Sequence, residues 1–211
     1  MSKFYNEYLN KNFKFDKLSW LGIFALIIVI TGCFGWLYEF IFYYFNGGMK
    51  EFYWRGGNFL PWINIYATGS IMIFLLAYRF RKKPLLVFLL SFISTGILEY
   101  ISGWGMLEIA GKRCWDYNQE ILNFGSINGF VCLRSVTFFG LSALLLMYVI
   151  IPFVFYLAKK MNKKAFLTIS ICLCSIILFD EFYNLLFARI LKLPRAYDVY
   201  KELGFKYVKF K

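Results

Sequence analysis

Residues Leu18–Phe45 read LSWLGIFALIIVITGCFGWLYEFIFYYF, with Glu39 the one charged side chain in the run. A bilayer core about 30 Å thick is crossed by about 20 apolar residues rising 1.5 Å each. This run is therefore long enough to span. Periodicity cannot separate helix from strand in so apolar a stretch, but its length and lack of alternation favour a helix. Lipid offers no partner to an open backbone, and a helix satisfies its own. Four further runs of this kind follow: Trp62–Tyr78, Pro84–Ile109, Gly129–Leu157 and Ala165–Leu191. The expected fold is an all-α, polytopic transmembrane helical bundle with about five spanning helices and an outward-facing polar pocket. It divides into a basic cytoplasmic segment (1–17), one transmembrane domain (18–191) and a basic tail (192–211).

Composition agrees. Of the 211 residues 60% are hydrophobic, 23% aromatic and only 17% charged, against about 25% charged in a soluble domain. No polar stretch is long enough for a soluble domain, and no repeat or low-complexity linker divides the chain. The basic start could open a secretion signal, but the apolar run continues without a small-residue cleavage site, which favours an uncleaved first helix. The net charge of +12 is not a nucleic-acid footprint, because its placement follows the spans. Lysines 3, 11, 14 and 17 precede the first, Arg79, Arg81, Lys82 and Lys83 follow the second, and Lys159, Lys160, Lys163 and Lys164 follow the fourth. The intervening loops hold only Lys50 and Arg55, or Lys112 and Arg113. The positive-inside rule puts the N-terminus and both basic turns in the cytoplasm. The basic tail then falls outside, against the rule, so either the earlier charges dominate or the fifth segment does not fully cross.

The chain has no histidine and five cysteines with no C-x-x-C pair. That pattern largely removes structural zinc, haem ligation and His-based triads; the thiols read as small packing residues. No metal and no cofactor are expected. No P-loop, G-x-S-x-G or H-E-x-x-H occurs, so ATP hydrolysis by the P-loop route and the familiar hydrolase chemistries are absent.

The acids inside the runs are the chemical signal. Glu99 lies fifteen residues past Pro84, and Asp180 fifteen past Ala165, each roughly 22 Å along its helix. Arg134 enters from the opposite end, roughly 9 Å below Asn128. Glu39 and Glu108, near the outer ends of their helices, and Asp116, in the outer loop, stand just above them. A lone charge near the bilayer centre costs about 2.5–3.5 kcal/mol, so these groups must pair or meet water. Arg134 is expected to clasp Glu99 or Asp180 with its planar fork. Two readings stay open: a clasp between helices, or a substrate or ion pocket of Glu39, Glu99, Tyr100, Asp116, Asn128, Arg134 and Asp180.

Helical spacing supports convergence. Trp36, Glu39, Phe40 and Tyr43 share one face, as do Gly96, Glu99, Tyr100 and Gly103, and Asp180, Tyr183 and Asn184. Ser91 and Thr95 form a small-x-x-x-small pair. Trp20, Trp62 and Trp115 suit an interfacial belt. Asn46-Gly47-Gly48 and Arg55-Gly56-Gly57-Asn58 make a flexible outer loop. The closing GFKYVKFK would lie on headgroups or fray.

Several motifs occur together in order: GWLYE at Gly35–Glu39, LPWINIYATG at Leu60–Gly69, GILEY at Gly96–Tyr100, WDY at Trp115–Tyr117, NGFVCLR at Asn128–Arg134, and Gly140. In these the chain resembles the bacterial membrane proteins grouped as ABC-transporter permeases of type IV, or CmpB-like. The resemblance covers about Gly35 to Pro152. It marks Trp36, Pro61, Tyr66, Gly96, Trp115, Tyr117, Gly129 and Gly140 as motif and packing residues. The chain departs from the family's G-P-x-x-P-I-Y-G at Leu60, Asn64 and Ala67, and has Cys114 where a second tryptophan often stands.

The resemblance implies a multi-pass protein of the bacterial cell membrane. Two function classes follow. One is a permease or transporter component that takes a polar or cationic solute at the acidic pocket. Its partners would be membrane lipids, other copies of itself or a separate ATPase subunit, and no nucleic acid. The alternative is a small intramembrane enzyme using a carboxylate as acid or base on a lipid-linked or cell-envelope substrate.

Overall fold

The computed structural model describes residues 2–46, 49–111 and 113–207. Met1, Gly47, Gly48, Lys112 and the last four residues of the tail lie outside them. The chain is all-α and polytopic. Helix α1 covers Ser2–Asn10, α2 Lys17–Asn46, α3 Asn64–Ala77 and α4 Pro84–Ala110. Then come α5 (Leu133–Leu145), α6 (Ile151–Lys160), α7 (Lys163–Phe182) and the short α8 (Ala188–Ile190) and α9 (Ala196–Glu202).

Four helices are long and apolar enough to cross a membrane: Lys17–Asn46, Pro84–Ile109, Leu133–Lys160 and Lys163–Ile190. The expectation of about five full spans is corrected at the second run. There the helix is only 14 residues long, roughly 21 Å at 1.5 Å per residue, short of the ~30 Å core. Its apolar approach from Leu60 to Ile63 is not helical. Hydropathy registers the burial of this segment and is blind to its backbone. The fourth run is also shifted. Asn128 (φ 53°) and Gly129 (φ 75°) form a left-handed turn, so the helix starts at Leu133. Arg134 therefore lies in the first helical turn rather than about 9 Å along it.

Local chemistry sets the ends. Asn162 caps α7 at the amides of Lys164 and Ala165, an N-cap arrangement, and Asp16, just before α2, accepts from the Ser19 hydroxyl at 2.6 Å. Pro84 opens α4 and Gly111 closes it at φ 62°. The α5–α6 run is one long helix interrupted by a π-turn over Leu146–Ile150. Pro152 has no N–H to return to the preceding turn, which accounts for the interruption. A second π-turn, Tyr183–Phe187, interrupts the end of α7.

The chain forms two compact units, one of Met72–Val149 and the other of the remaining described residues. In the larger, α2 packs along α7 and α6. The first part of α3 runs antiparallel to α2: Tyr66 closes against Gly35, and Thr31 and Ser70 share a hydrogen bond at 2.9 Å. Trp62, 2% exposed, centres the packing with Ala67 and Ile177, against Ile28, Val29 and Cys33. At the Lys17 end, Tyr8, Phe13, Phe15 and Trp20 all meet the buried Phe155 edge-on. The tail up to residue 207 is docked rather than frayed. Tyr200 stacks on Trp54 at 3.7 Å and donates to the carbonyl of Phe59. The Lys206 amide bonds the carbonyl of Phe52, and the Trp54 amide bonds that of Lys206.

In the smaller unit α4 packs on α5. Gly96 lies against Val131 and Val136, and Gly140 against the Phe88 ring. The segment from Arg113 to Cys132 folds over the end of this pair.

Candidate functional site

The expected residues fall into two groups, each built within one unit. In the smaller unit α4 carries Glu99, 3% exposed. Its carboxylate accepts from the Tyr117 hydroxyl and, at 2.7 Å, from the Ser135 hydroxyl on α5. The Tyr117 ring in turn lies 5.3 Å beneath the Arg134 guanidinium. Arg134, expected to bind Glu99 or Asp180, makes its short ion pair with Glu120 at 2.5 Å. Sequence reasoning did not single out Glu120, which sits in a loop among polar residues.

Asp116 of the WDY motif is buried and accepts from the Asn118 amide and the Gln119 side chain. A Cβ at Gly129 would run into the Asp116 carboxylate, so this loop closes only around a glycine. The Tyr117 amide bonds the Gly129 carbonyl and the Trp115 indole donates to Phe130, holding the WDY and NGF segments together. Asn128 donates to the Tyr100 hydroxyl at 3.0 Å, and Arg113 donates to the Asn128 carbonyl at 2.8 Å.

In the larger unit Glu39 binds Arg55 at 2.6 Å and accepts from the Tyr66 hydroxyl at 3.2 Å. Trp36, one turn earlier, stacks on Phe40 and meets Trp54. Arg55 was visible in sequence only as a loop charge. Glu108 is exposed near the end of α4, and Pro61 is exposed just before Trp62.

Asp180, 8% exposed, does unusual work. Its two oxygens accept the backbone amides of Phe59 (3.1 Å) and Leu60 (2.6 Å), with Asn184 adding a side-chain bond at 2.7 Å. The Ile63 amide goes to the Gly32 carbonyl and the Trp62 indole to Ile28. Non-helical backbone at membrane depth is tolerated only where its polar groups are satisfied within the protein. Asp180 satisfies two of them. The π-turn at Tyr183–Phe187 follows directly, and Asn184 also accepts the Ala196 amide at 2.7 Å. Burial first, then the Asp180 charge, pushes the Tyr200 hydroxyl up, keeping it a donor to this same segment.

Beside it stands Glu181, which sequence reasoning missed although it sits in the same apolar run. Asn58, itself buried, donates to it at 2.7 Å, and Asn64 at 3.5 Å. Neither partner carries charge. The Thr68 hydroxyl donates to Asn64 at 2.8 Å, and Asn64 and Thr68 are exposed. Among the described residues no group of three or more acidic or thiol side chains could hold a metal ion.

Four apolar spans and buried carboxylates held by hydroxyls, amides and a guanidinium define a multi-pass α-helical membrane protein. More particularly, the family model described as "Putative ABC-transporter type IV" matches residues 26–185. The chain belongs to this family. No curated protein matches it, and no solved structure does.

Proposed function

We propose that this chain is the membrane component of a transport assembly in a bacterial cell membrane, with its N-terminus in the cytoplasm. It binds a polar or cationic solute at membrane-depth carboxylates, and a separate subunit hydrolyses ATP. The observation that carries the solute reading is Glu181: a half-buried acid inside an apolar span, held by two neutral amides. A carboxylate left without a cation in a span is costly, and a cationic solute supplies the missing charge. Asp180 serves this site by fixing the Asn58–Leu60 backbone that carries one of those amides. Glu39–Arg55, Glu99 with Tyr117 and Ser135, and Asp116 around Gly129 act as clasps that hold the framework, with Tyr100, Asn128 and Arg134 beside them. Family membership and the lack of a P-loop support a separate ATPase.

The test is Glu181→Gln in protein reconstituted into lipid vesicles and titrated with a panel of cationic solutes. The solute bound by the wild type should lose affinity by roughly tenfold or more, matching a lost charge-assisted bond of about 1.5–3 kcal/mol. Equal affinity in the two proteins rejects Glu181 as the solute group.

A further inference from the structure

Within the smaller unit an open groove of about 550 Å³ runs along α4 and the start of α5. Its floor is Gly96, and its walls include Ile93, Ile97, Ile101, Val136 and Tyr100. We propose that this groove holds one acyl chain of an anionic phospholipid, with the lipid phosphate at Arg113.

Three observations favour a lipid over another helix. Ile93, Ile97 and Ile101 recur every fourth residue and are 59%, 56% and 57% exposed, on a helix long and apolar enough to span. Helices in lipid associate through small or polar residues, because apolar contact between them gains nothing over contact with lipid tails. The α4 side of this groove is branched and bulky, and the one small residue that α4 gives it, Gly96, is turned to Val131 and Val136 of its own unit. The groove is also the right kind of space. From Phe92 to Ile101 it follows α4 for roughly 13 Å at 1.5 Å per residue, which suits part of a chain.

The third observation is charge. Gly125 and Ile127 line the loop end of the groove, where Tyr100 also stands. The Tyr100 hydroxyl accepts from Asn128, whose carbonyl accepts from Arg113. The Arg113 guanidinium lies over the Phe130 ring at 4.7 Å, and that ring meets Tyr100 edge-on at 5.6 Å. Asp116 is 3.8 Å away on one side of the guanidinium, which orients the fork without closing on it. Arg113 is thus linked through Asn128 to Tyr100 of the groove wall, and a planar guanidinium is suited to a phosphate. A fatty chain alone would add nothing to the contacts of Arg113 with Asn128, Asp116 and Phe130, and a free phosphate would leave the groove unfilled.

The experiment uses full-length protein in neutral detergent, titrated with dioleoylphosphatidylglycerol and read by native mass spectrometry. The wild type should retain one tightly bound phospholipid. Ile97→Trp, which fills the groove from an exposed position, should lose it. Arg113→Gln should weaken it about fivefold, the equivalent of the ~1 kcal/mol that one basic residue contributes at a lipid surface. Phosphatidylglycerol carrying a photoreactive group on its acyl chain should label peptides containing residues 92–101, which reports the site without any substitution. Unchanged lipid retention in Ile97→Trp, or labelling elsewhere, overturns the proposal. So does equal displacement of the lipid by soluble glycerol phosphate, which would mark a simple anion site. A wild-type dimer that Ile97→Trp dissociates would make the occupant a second copy and overturn it as well.

Discussion

At the scale of single residues, this protein uses its membrane-depth acids as hydrogen-bond acceptors first and as charges second. Asp180 is the clearest case, since both of its oxygens hold backbone amides of a non-helical segment. Replacing it with Leu strands the Phe59 and Leu60 amides. Buried unsatisfied donors cost about 1–3 kcal/mol each, so Asp180→Leu should lower stability in detergent by roughly 2–6 kcal/mol. Asp180→Asn keeps one acceptor oxygen and should lose distinctly less. Thermal melts of the two variants check the order; equal melting points would refute the acceptor role. Asp16 shows the opposite regime at the helix end. Hydrogen bonds from Lys163 and then Ser19 hold its carboxyl down at about 2, against an ordinary 3.8. A depressed value means that the contact stabilises the fold above the ordinary value and is lost as pH falls from about 4 toward 2. The melting-point difference between wild type and Asp16→Asn should therefore be constant above pH 4 and shrink below it. A difference that stays flat down to pH 2 would contradict the contact.

At the scale of elements, legibility follows what each signal measures. The bounds of α2, of α4 and of the last span, Lys163–Ile190, were readable to within about two residues, because composition changes sharply where lipid gives way to water. In the motifs, Gly35, Gly96, Gly129 and Gly140 all meet neighbours that a Cβ would press against. The length of α3 was not readable. Leu60-Pro61-Trp62-Ile63 is as apolar as a helix, and only a carboxylate about 120 residues later in the chain reveals that its backbone is open. The partner of Arg134 was hidden by loop geometry rather than by distance along the chain. Arg134 was recognised as needing an acid, but Glu120 lies in a polar loop whose fold depends on Asn128 and Gly129 turning left-handed. Glu181 was overshadowed by its neighbour. Consecutive residues on a helix point about 100° apart, so Asp180 faces the Phe59–Leu60 backbone while Glu181 meets Asn58 and Asn64.

At the scale of the whole molecule, the question is how four full spans accommodate the basic residues. Lysines precede α2, and Arg79, Arg81, Lys82 and Lys83 precede α4; in the proposed orientation, which rests on the positive-inside preference, both basic segments are cytoplasmic. The chain must then return between Asn46 and Pro84 without a fifth full-length helix. The short α3 offers the means, because it begins beside Gly35 and runs antiparallel to α2, with its open approach secured on Asp180. The docked tail sets the other side: Tyr200 and Lys206 are bonded to the 52–59 segment, so they share its compartment whatever their charge. Single cysteines in a cysteine-free background, labelled in intact cells with an impermeant maleimide, read this directly. Gly57→Cys and Lys201→Cys should label from outside, while Lys82→Cys and Lys163→Cys should label only after the cells are opened. If Lys82→Cys labels together with Gly57→Cys, the chain does not return through α3, and the charge rule has yielded to the packing of this segment.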